Sequence, residues 1–245
     1  MESTVTISFV VPAYNEELYV RRTVEAIHRS VEALGRAHEV IVADDSSSDG
    51  TASIAAAAGA RVISVNHRQI AATRNSGAHS ASGDLLVFVD ADTEVNAGVV
   101  AAVVAAVDRG AVGGGCHFRF DGRIPFYGRC LEVFADVVYP IVRLASGCFL
   151  FCTREAFDAV GGFDEARFAG EEAAMSIALR RHGKFVIVPQ TVTTSGRKLR
   201  AYRGRELAAM AADLARTRNA GRRRAGLDVW YGERRPDPEA RERGT

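Results

Sequence analysis

The chain has 245 residues, of which 47% are hydrophobic and 25% are charged, so it can bury one large core and is not a low-complexity or disordered protein. The formal net charge of +1 conceals an asymmetry, because residues 1–196 hold 17 Lys and Arg against 23 Asp and Glu, whereas residues 197–224 hold 10 against 2. We therefore expect a mildly acidic globular body followed by a cationic segment.

The first 110 residues alternate between strand and helix patterns. Short apolar runs predict four buried strands, at residues 5–11, 39–43, 61–65 and 84–89. Amphipathic or alanine-rich stretches predict helices between and after them, at residues 20–34, 51–58, 71–81 and 97–108. This alternation is typical of an α/β fold with a mostly parallel sheet and helices on both faces.

The pattern is less regular after residue 110. Predicted elements are a strand at 113–120, a helix at 125–144, a strand at 148–153, a helix at 171–182 and a strand at 185–189. Residues 201–230 are interpreted as a basic helical segment, and the charged residues 231–245 as a disordered tail.

Targeting and redox signals are weak. Glu2 and the absence of basic residues before the first apolar run argue against a signal peptide, and Asp136 and Arg143 make residues 133–152 too polar for a membrane span. We expect a cytoplasmic protein whose four cysteines are small core hydrophobes in a reducing compartment: Cys116, Cys130, Cys148 and Cys152. A metal site at Cys148 and Cys152 is disfavoured because no second pair matches it.

Polar clusters follow three of the predicted strands. They are PAYNEE at 12–17, DDSSSDGT at 44–51 and DADT at 90–93. A single aspartate after a strand is most often a helix cap or a turn former. Three clusters at the carboxyl ends of strands in one open α/β sheet instead indicate a ligand site, because ligands bind at that edge.

The DAD triplet suits a divalent cation bound to a diphosphate. Magnesium and manganese prefer oxygen ligands and need only one or two carboxylates when phosphate oxygens complete the shell. Asp90 and Asp92 stand two positions apart just past a strand, so both can turn toward one ion. The alternative is a pair of solvated turn aspartates.

Four ordered motifs resemble the family 2 glycosyltransferases of the GT-A fold. They are VVPAYNEE, VIVADDSSSDGT, ATRNSGAHSASGDLLVFVDADT and GGFDEARFAGEEAAMSIALRRHG, and the resemblance covers residues 5–200. It implies a GT-A domain over 1–200, with a nucleotide-sugar-binding half at 1–110 and an acceptor half at 111–200. It also implies a UDP- or GDP-sugar donor, bound Mn²⁺ or Mg²⁺ and transfer with inversion at the anomeric carbon.

The resemblance assigns expected roles to individual residues. Asp44 or Asp45 would accept a hydrogen bond from the base, Asp90 would face the ribose or sugar, and Asp92, with Asp90, would hold the metal. Residues along the nucleoside would be Pro12, Ala13, Tyr14, Asn15 and Glu16. Residues framing the donor would be Arg68, Arg74 and Asn75.

Glu171 and Glu172 match the acidic pair of the family, in which one carboxylate removes the proton of the acceptor hydroxyl. We expect Glu172 to be this general base, which needs a carboxylate within hydrogen-bond reach of the attacking oxygen. Acidic residues at a helix start are also favoured by the helix dipole, so one of the two can be purely structural.

The chain departs from the family pattern in three ways. It has Glu-Glu where Glu-Asp is common, which makes the candidate base one methylene longer. No histidine follows His182 as a further metal ligand, and Arg197 and Lys198 would instead neutralise the departing diphosphate. The Gln-x-x-Arg-Trp signature of processive synthases is absent, so we expect a non-processive enzyme.

Other functions fit the residues less well. A haloacid dehalogenase-type phosphatase also has Asp-x-Asp after a strand, but Glu94 stands where its motif requires Thr or Val. PAYNEE lacks the glycine-rich basic loop of a sugar nucleotidyltransferase, and AVGGGCHF lacks the spacing of a dinucleotide fingerprint. A nucleotide-binding protein without catalytic activity remains the main alternative, because of the Glu-Glu departure.

Two segments could contact a membrane. Residues 123–147 form either a helix packed on the sheet or an exposed apolar lip beside the site. The basic run 197–224 is either a solvated helix face or a surface for anionic lipid, and it lacks the aromatic pattern of a nucleic-acid-binding module. The lip and the basic run together would place the protein at the inner face of the membrane and give it a lipid-linked acceptor.

Overall fold

The computed structural model describes residues 6–216, 220–224, 226–232 and 235–239. Its eight strands are β1 Ile7–Ala13, β2 His38–Asp45, β3 Arg61–Val65, β4 Leu85–Val89, β5 Thr93–Glu94, β6 Ala111–Phe120, β7 Phe149–Thr153 and β8 Lys184–Thr194. Its helices are α1 Val20–Glu32, α2 Thr51–Ala57, α3 Ile70–Ser80, α4 Ala97–Asp108, α5 Phe126–Val142, α6 Arg154–Val160, α7 Glu171–His182, α8 Arg197–Ala201, α9 Gly204–Arg216 and α10 Asp228–Tyr231.

All strands form one sheet in the order β3-β2-β1-β4-β7-β6-β8-β5. Strands β1 to β4 are mutually parallel, as the strand and helix alternation predicts. Strand β7 runs antiparallel to both β4 and β6, and β5 runs antiparallel to β8. The sheet is therefore mixed but mostly parallel, and the predicted α/β class is confirmed.

Two hydrophobic clusters cover the sheet. One packs α1 and α4 on one face through residues such as Val24, Ile27 and Val103. The other packs α3, α6 and α7 on the opposite face through Ala71, Phe157 and Leu179. The sequence had not predicted α6, α8 or β5, which are short and carry little periodicity.

Close packing at the middle of the sheet requires glycine. Gly114 of β6 has the ring of Phe151 and the carbonyl oxygen of Val186 so near that a β-carbon would overlap both. The run Gly113–Gly114–Gly115 therefore lets β6 pass between β7 and β8.

Two expectations need correction. Cys116 and Cys152 are buried as predicted, but Cys130 is exposed on α5 and is not a core residue. Residues 235–239 fall in the segment predicted to be disordered, yet Asp237 is buried and accepts hydrogen bonds from Arg200 and Tyr19. Tyr231, the first residue of the same segment, ends α10, and residues 233–234 and 240–245 lie outside the described residues.

Candidate active site

A cavity of about 380 Å³ opens at the carboxyl ends of the parallel strands, where the polar clusters were expected. Residues from the first loop, the β2 end, the DAD triplet and the start of α7 line it together. The predicted site residues in its wall are Pro12, Ala13, Tyr14, Glu16, Asp45, Arg68, Arg74, Asp90, Asp92, Glu171, Glu172, Arg197 and Lys198.

The loop after β1 forms one wall of the cavity. The guanidinium of Arg68 lies 4.2 Å from the centre of the Tyr14 ring, so the two side chains form a stacked cation–π pair. Asn15 is absent from the cavity wall. It adopts a left-handed conformation with φ of 52°, and its side-chain oxygen accepts a hydrogen bond of 2.8 Å from the Ser48 amide. Asn15 thus joins the β1 loop to the β2 loop.

Asp45 organises the loop between β3 and α3. Its carboxylate accepts hydrogen bonds from the backbone amides of His67, Arg68 and Gln69 at 2.7, 2.9 and 3.1 Å and from the Thr73 hydroxyl at 3.0 Å. These four donors occupy both oxygens of Asp45, although the residue borders the cavity. A nucleotide base at Asp45, as the sequence predicted, would therefore meet a carboxylate whose two oxygens already accept hydrogen bonds from the protein.

Asp44 has the opposite properties. Its Oδ2 accepts a bond of 3.3 Å from the Ser47 amide, whereas its Oδ1 is buried and receives no hydrogen bond from the part of the chain that the structure describes. A buried acceptor without a donor costs free energy, so the site favours a ligand N–H there. Asp44 is not in the cavity wall, but it lies directly beside Ala13 in the β1–β2 ladder, and Ala13 is in the wall.

Arg74 connects the DAD triplet to the acidic pair. The side chain is 3% exposed and donates to Asp90 Oδ1, Glu171 Oε1 and the Gly147 carbonyl, each at 2.8 Å. Burial opposes its charge, but the nearby carboxylates outweigh burial and raise the pKa of Arg74. This one guanidinium therefore fixes β4 relative to α7.

Asn75, the next residue, is absent from the cavity wall. Its side chain donates to the Phe163 carbonyl at 3.0 Å and to Glu165 at 2.8 Å, and its oxygen accepts from the Phe163 amide at 2.9 Å. Asn75 thereby anchors the loop that leads into α7 and acts on the site indirectly.

Asp90 and Asp92 face the cavity in different surroundings. The pKa of Asp90 is raised, chiefly by burial. The charge of Arg74 opposes this shift, and the charge of Asp92 adds to it. Asp92 Oδ2 lies 3.1 Å from a guanidinium nitrogen of Arg197, which also contacts Glu16. The ion pairs link α8 to the DAD triplet and to the first loop.

These residues fit a divalent cation that shares its shell with a bound diphosphate. Two carboxylates of the hard-oxygen type border one open cavity, as such an ion requires. Within the described part of the chain, no group of three His, Cys, Asp or Glu side chains is placed to hold a metal by itself. Phosphate oxygens and water would have to complete the shell, and a cation at Asp92 would compete with Arg197.

The acidic pair begins α7, after Gly170 in a left-handed conformation with φ of 72°. Glu171 is held by Arg74, whereas Glu172 lies beside Gly147. Burial and then the charge of Glu171 raise the pKa of Glu172 to about 7, against the lowering effect of Arg74. A carboxylate with this pKa can accept a proton near neutral pH.

The C-terminal segment forms a wall that the sequence did not predict. The Phe168 and Ala169 amides donate to the Gly221 carbonyl, and the Phe168 ring lies 5.6 Å from the ring of Tyr231. Arg224 lies 5.4 Å from the same Tyr231 ring, and both of them border the cavity. The other wall residues outside the predicted set are Gln69, Ile70, Thr73, Ala91, Gly147, Phe168, Ala169 and Gly170.

The comparisons with known proteins agree with this geometry. Residues 8–160 match the family model described as glycosyl transferase family 2. The chain belongs to glycosyltransferase family 2. The chain is 32% identical over 112 residues to curated undecaprenyl-phosphate 4-deoxy-4-formamido-L-arabinose transferases of Salmonella paratyphi B and Salmonella newport. The match covers 42% of this chain and 34% of those relatives, so it spans only about a third of their length.

Solved structures of glycosyltransferases share the fold. A mannosyltransferase from Pyrobaculum calidifontis, in complex with GDP-Man and Mn²⁺, superposes with a TM-score of 0.64 at 18% identity, over 96% of this chain and 67% of that one. Glucosyl-3-phosphoglycerate synthase from Mycobacterium tuberculosis, in complex with Mn²⁺, UDP-glucose and phosphoglyceric acid, gives 0.61 at 23% identity, over 96% and 82%. The prediction of a GT-A type fold is therefore confirmed.

Proposed function

We propose that this glycosyltransferase moves a sugar from a nucleoside diphosphate sugar to an acceptor hydroxyl or a lipid phosphate. The observation that carries the proposal is the Arg74 bridge, which places the DAD triplet and the acidic pair in one cavity. The reaction would be metal-dependent, inverting and non-processive. The GDP-Man and UDP-glucose complexes of the structural neighbours support a nucleotide-sugar donor and Mn²⁺.

The donor would lie along the first loop. Pro12, Ala13 and Tyr14 would contact the nucleoside, and Arg68 would extend the stacked surface of Tyr14. Asp44, with its buried free acceptor oxygen, is better suited than Asp45 to receive an N–H of the base. Uracil and guanine both present such a donor, so both remain candidates.

The diphosphate would lie between the DAD triplet and α8. Asp92, with Asp90, would hold the divalent ion, which would neutralise phosphate charge as the donor bond breaks. Arg197 and Lys198 border the same part of the cavity and would stabilise the departing nucleoside diphosphate. Arg197 pairs with both Asp92 and Glu16 in this structure, so it would contact the phosphates in exchange for the Asp92 pair while Glu16 keeps it at the cavity.

Glu172 would take the proton from the acceptor. The acceptor oxygen would attack the anomeric carbon opposite the diphosphate, its proton would pass to Glu172, and the bond from carbon to phosphate oxygen would break. Attack from the opposite side produces inversion. An ionised lipid phosphate would need no base, and the similarity to the Salmonella undecaprenyl-phosphate transferases supports that acceptor class.

Metal-dependent donor binding tests the proposal. A panel of UDP- and GDP-sugars with Mn²⁺ should raise the unfolding temperature, because a ligand at 100 times its Kd stabilises the folded state by about 2.7 kcal/mol. Asp92→Asn should abolish the metal-dependent part, since a neutral amide is a poor ligand for a hard cation. Asp108→Asn, at the exposed end of α4, is the matched control. A shift that is unchanged in Asp92→Asn would refute the metal assignment.

A further inference from the structure

Helix α5 carries an exposed apolar face. The side chains of Phe126, Phe134 and Ile141 are 83%, 59% and 75% exposed. Residues 126, 130, 134, 137 and 141 recur every three or four positions and so share one side of the helix, together with residue 133, which is four positions before 137. The exposed large apolar residues of α5 are Phe126, Leu131, Val133, Phe134, Val137, Ile141 and Val142. A contiguous patch of this kind marks a surface that contacts another apolar phase.

The charged residues of this region are sorted by sign. The two acidic residues of α5 turn toward β6, where Glu132 accepts from the Phe120 amide at 2.7 Å and Asp136 lies 2.6 Å from Arg119. Exposed arginines stand before, within and after the helix, at positions 123, 129 and 143, and of these Arg129 also lies 3.1 Å from Glu132. The outward face is therefore apolar with a cationic rim.

This distribution of charge discriminates between two occupants of the face. A symmetric pair of α5 helices would bring arginine close to arginine whether the helices ran parallel or antiparallel, because arginines stand near both ends of the helix, and such contacts are repulsive. An anionic bilayer instead accepts the apolar side chains in its interface and the guanidinium groups among its phosphates. We propose that α5 lies in the surface of an anionic membrane and presents the cavity to a lipid-linked acceptor.

The lipid-linked acceptor in this inference rests on the proposed function. The C-terminal end of α5 contacts helix α7, which carries the candidate base. Arg180 of α7 donates to the Val142 carbonyl, and the Ala145 amide donates to Ser176 at 3.1 Å. Ser176 lies one turn after Glu172, and its hydroxyl donates to the Glu172 carbonyl. The membrane-facing helix is thereby attached to the helix that carries the candidate base.

Several basic residues of the run 197–224 are engaged by the protein itself. Arg197 lies in the cavity, Arg200 is 5% exposed and pairs with Asp237, and Arg224 borders the cavity. Arg222 lies 3.7 Å from Asp164. Arg222, Arg223 and Arg224 remain exposed, and residues 217–219 lie outside the described residues, so α5 and its arginine rim carry the inference and the basic run stays a prediction. Among the described residues, no helix is long and apolar enough to cross a bilayer, and α5 would lie flat.

Sedimentation with vesicles tests the inference. The wild-type chain should bind vesicles of phosphatidylcholine and phosphatidylglycerol at low salt, and bind those of phosphatidylcholine alone much less. The triple substitution Phe126→Ser, Phe134→Ser, Ile141→Ser should lower the partition coefficient about tenfold or more, since burying one such side chain is worth roughly a factor of ten. Leu18→Ser, which changes a residue 63% exposed outside the face, should bind as the wild type does.

The controls separate this inference from misfolding and from the proposed function. Because the substituted residues are exposed, the triple variant should keep its circular dichroism, its unfolding temperature and its affinity for Mn²⁺ with UDP or GDP. Equal recovery of the wild-type chain in the supernatant with both lipids, or undiminished binding of the triple variant, would overturn the inference. A wild-type dimer that the triple variant abolishes would assign the face to a second copy. Nucleotide binding without vesicle binding refutes only the membrane inference, whereas vesicle binding without nucleotide binding refutes the proposed function.

Discussion

Glu171 and Glu172 are adjacent in the sequence but lie in different electrostatic surroundings. Glu171 forms a buried ion pair of 2.8 Å with Arg74, which itself also holds Asp90. Among the described residues, no cationic side chain forms an ion pair with Glu172, and burial followed by the charge of Glu171 raises its pKa to about 7. We therefore propose that Glu172 takes the proton and that Glu171 positions Arg74.

The substitution Glu172→Gln tests this assignment. It should lower kcat by about two to four orders of magnitude while leaving donor affinity nearly unchanged, because a positioned general base contributes that much to the rate. The wild-type kcat/KM should decline as the pH falls below about 7, where protonation removes the basic form, and the variant should lack this decline. Initial rates between pH 5 and pH 9 would measure both effects.

Glu171→Gln is the matched comparison. It breaks the ion pair with Arg74 and should therefore reduce stability and donor affinity together. A Glu172→Gln enzyme with a wild-type rate and pH profile would contradict the assignment of the base. It would leave an acceptor that is already ionised, such as a lipid phosphate, as the better interpretation.

At the scale of elements, one carboxylate at the end of β2 shapes the loop that leads into α3. Asp45 accepts three consecutive backbone amides of residues 67–69 and the hydroxyl of Thr73. The loop carries Arg68 into the cavity with φ of 51°, a conformation that such a residue adopts only when the surroundings hold it. Strand, loop and helix therefore act as one unit in forming the donor side of the site.

Asp45→Asn should disturb this unit. The amide group turns an acceptor into a donor that faces other donors, and an unsatisfied buried group costs about 1–3 kcal/mol. We expect the free energy of unfolding, measured with urea, to fall by about 1–3 kcal/mol. Donor affinity should also weaken, because Arg68 moves. The exposed control Asp108→Asn should stay within about 0.5 kcal/mol of the wild type. Full stability in Asp45→Asn would show that the loop holds its shape by other contacts.

At the scale of the whole molecule, residues near the C-terminus contact the start of the chain. The Tyr19 hydroxyl donates to Asp237 at 2.9 Å across 218 positions of sequence, and Arg200 binds both oxygens of Asp237 at 2.8 and 2.7 Å. Between α9 and this anchor, Gly221 receives the Phe168 and Ala169 amides, and Arg224 and Tyr231 border the cavity. Arg224 and Tyr231 of the C-terminal segment are therefore part of the wall of the candidate site.

Asp237→Asn tests whether this anchor supports the site from a distance. Losing the charge-assisted bonds should cost about 1.5–3 kcal/mol locally, so limited proteolysis should cut the C-terminal segment sooner. Donor affinity should fall although Asp237 is outside the cavity wall, because the wall formed by Arg224 and Tyr231 loosens. Asp158→Asn, an exposed aspartate on α6, should change neither property. Unchanged cleavage and affinity would mean that the segment holds its place without the anchor.

The sequence by itself determined the elements and the chemical class of the site. Strand and helix depend on local periodicity, so β1 to β4 and the helices between them follow from the apolar pattern of each segment. The three polar clusters at strand ends identified the edge of the sheet where the cavity lies. The resemblance of four ordered motifs correctly indicated the family.

Tertiary structure alone decided the roles of neighbouring residues and the boundary of the site. Burial and hydrogen-bond partners distinguish Asp44 from Asp45, and they come from elements far apart in the chain. Contacts between distant elements also distinguish Glu172 from Glu171, which is paired with Arg74, and bring Arg224 and Tyr231 into the cavity wall. The pKa of a group depends on the electrostatic field around it, and the packing decides whether a buried acceptor meets a donor. Both arise only when segments distant in the sequence come together.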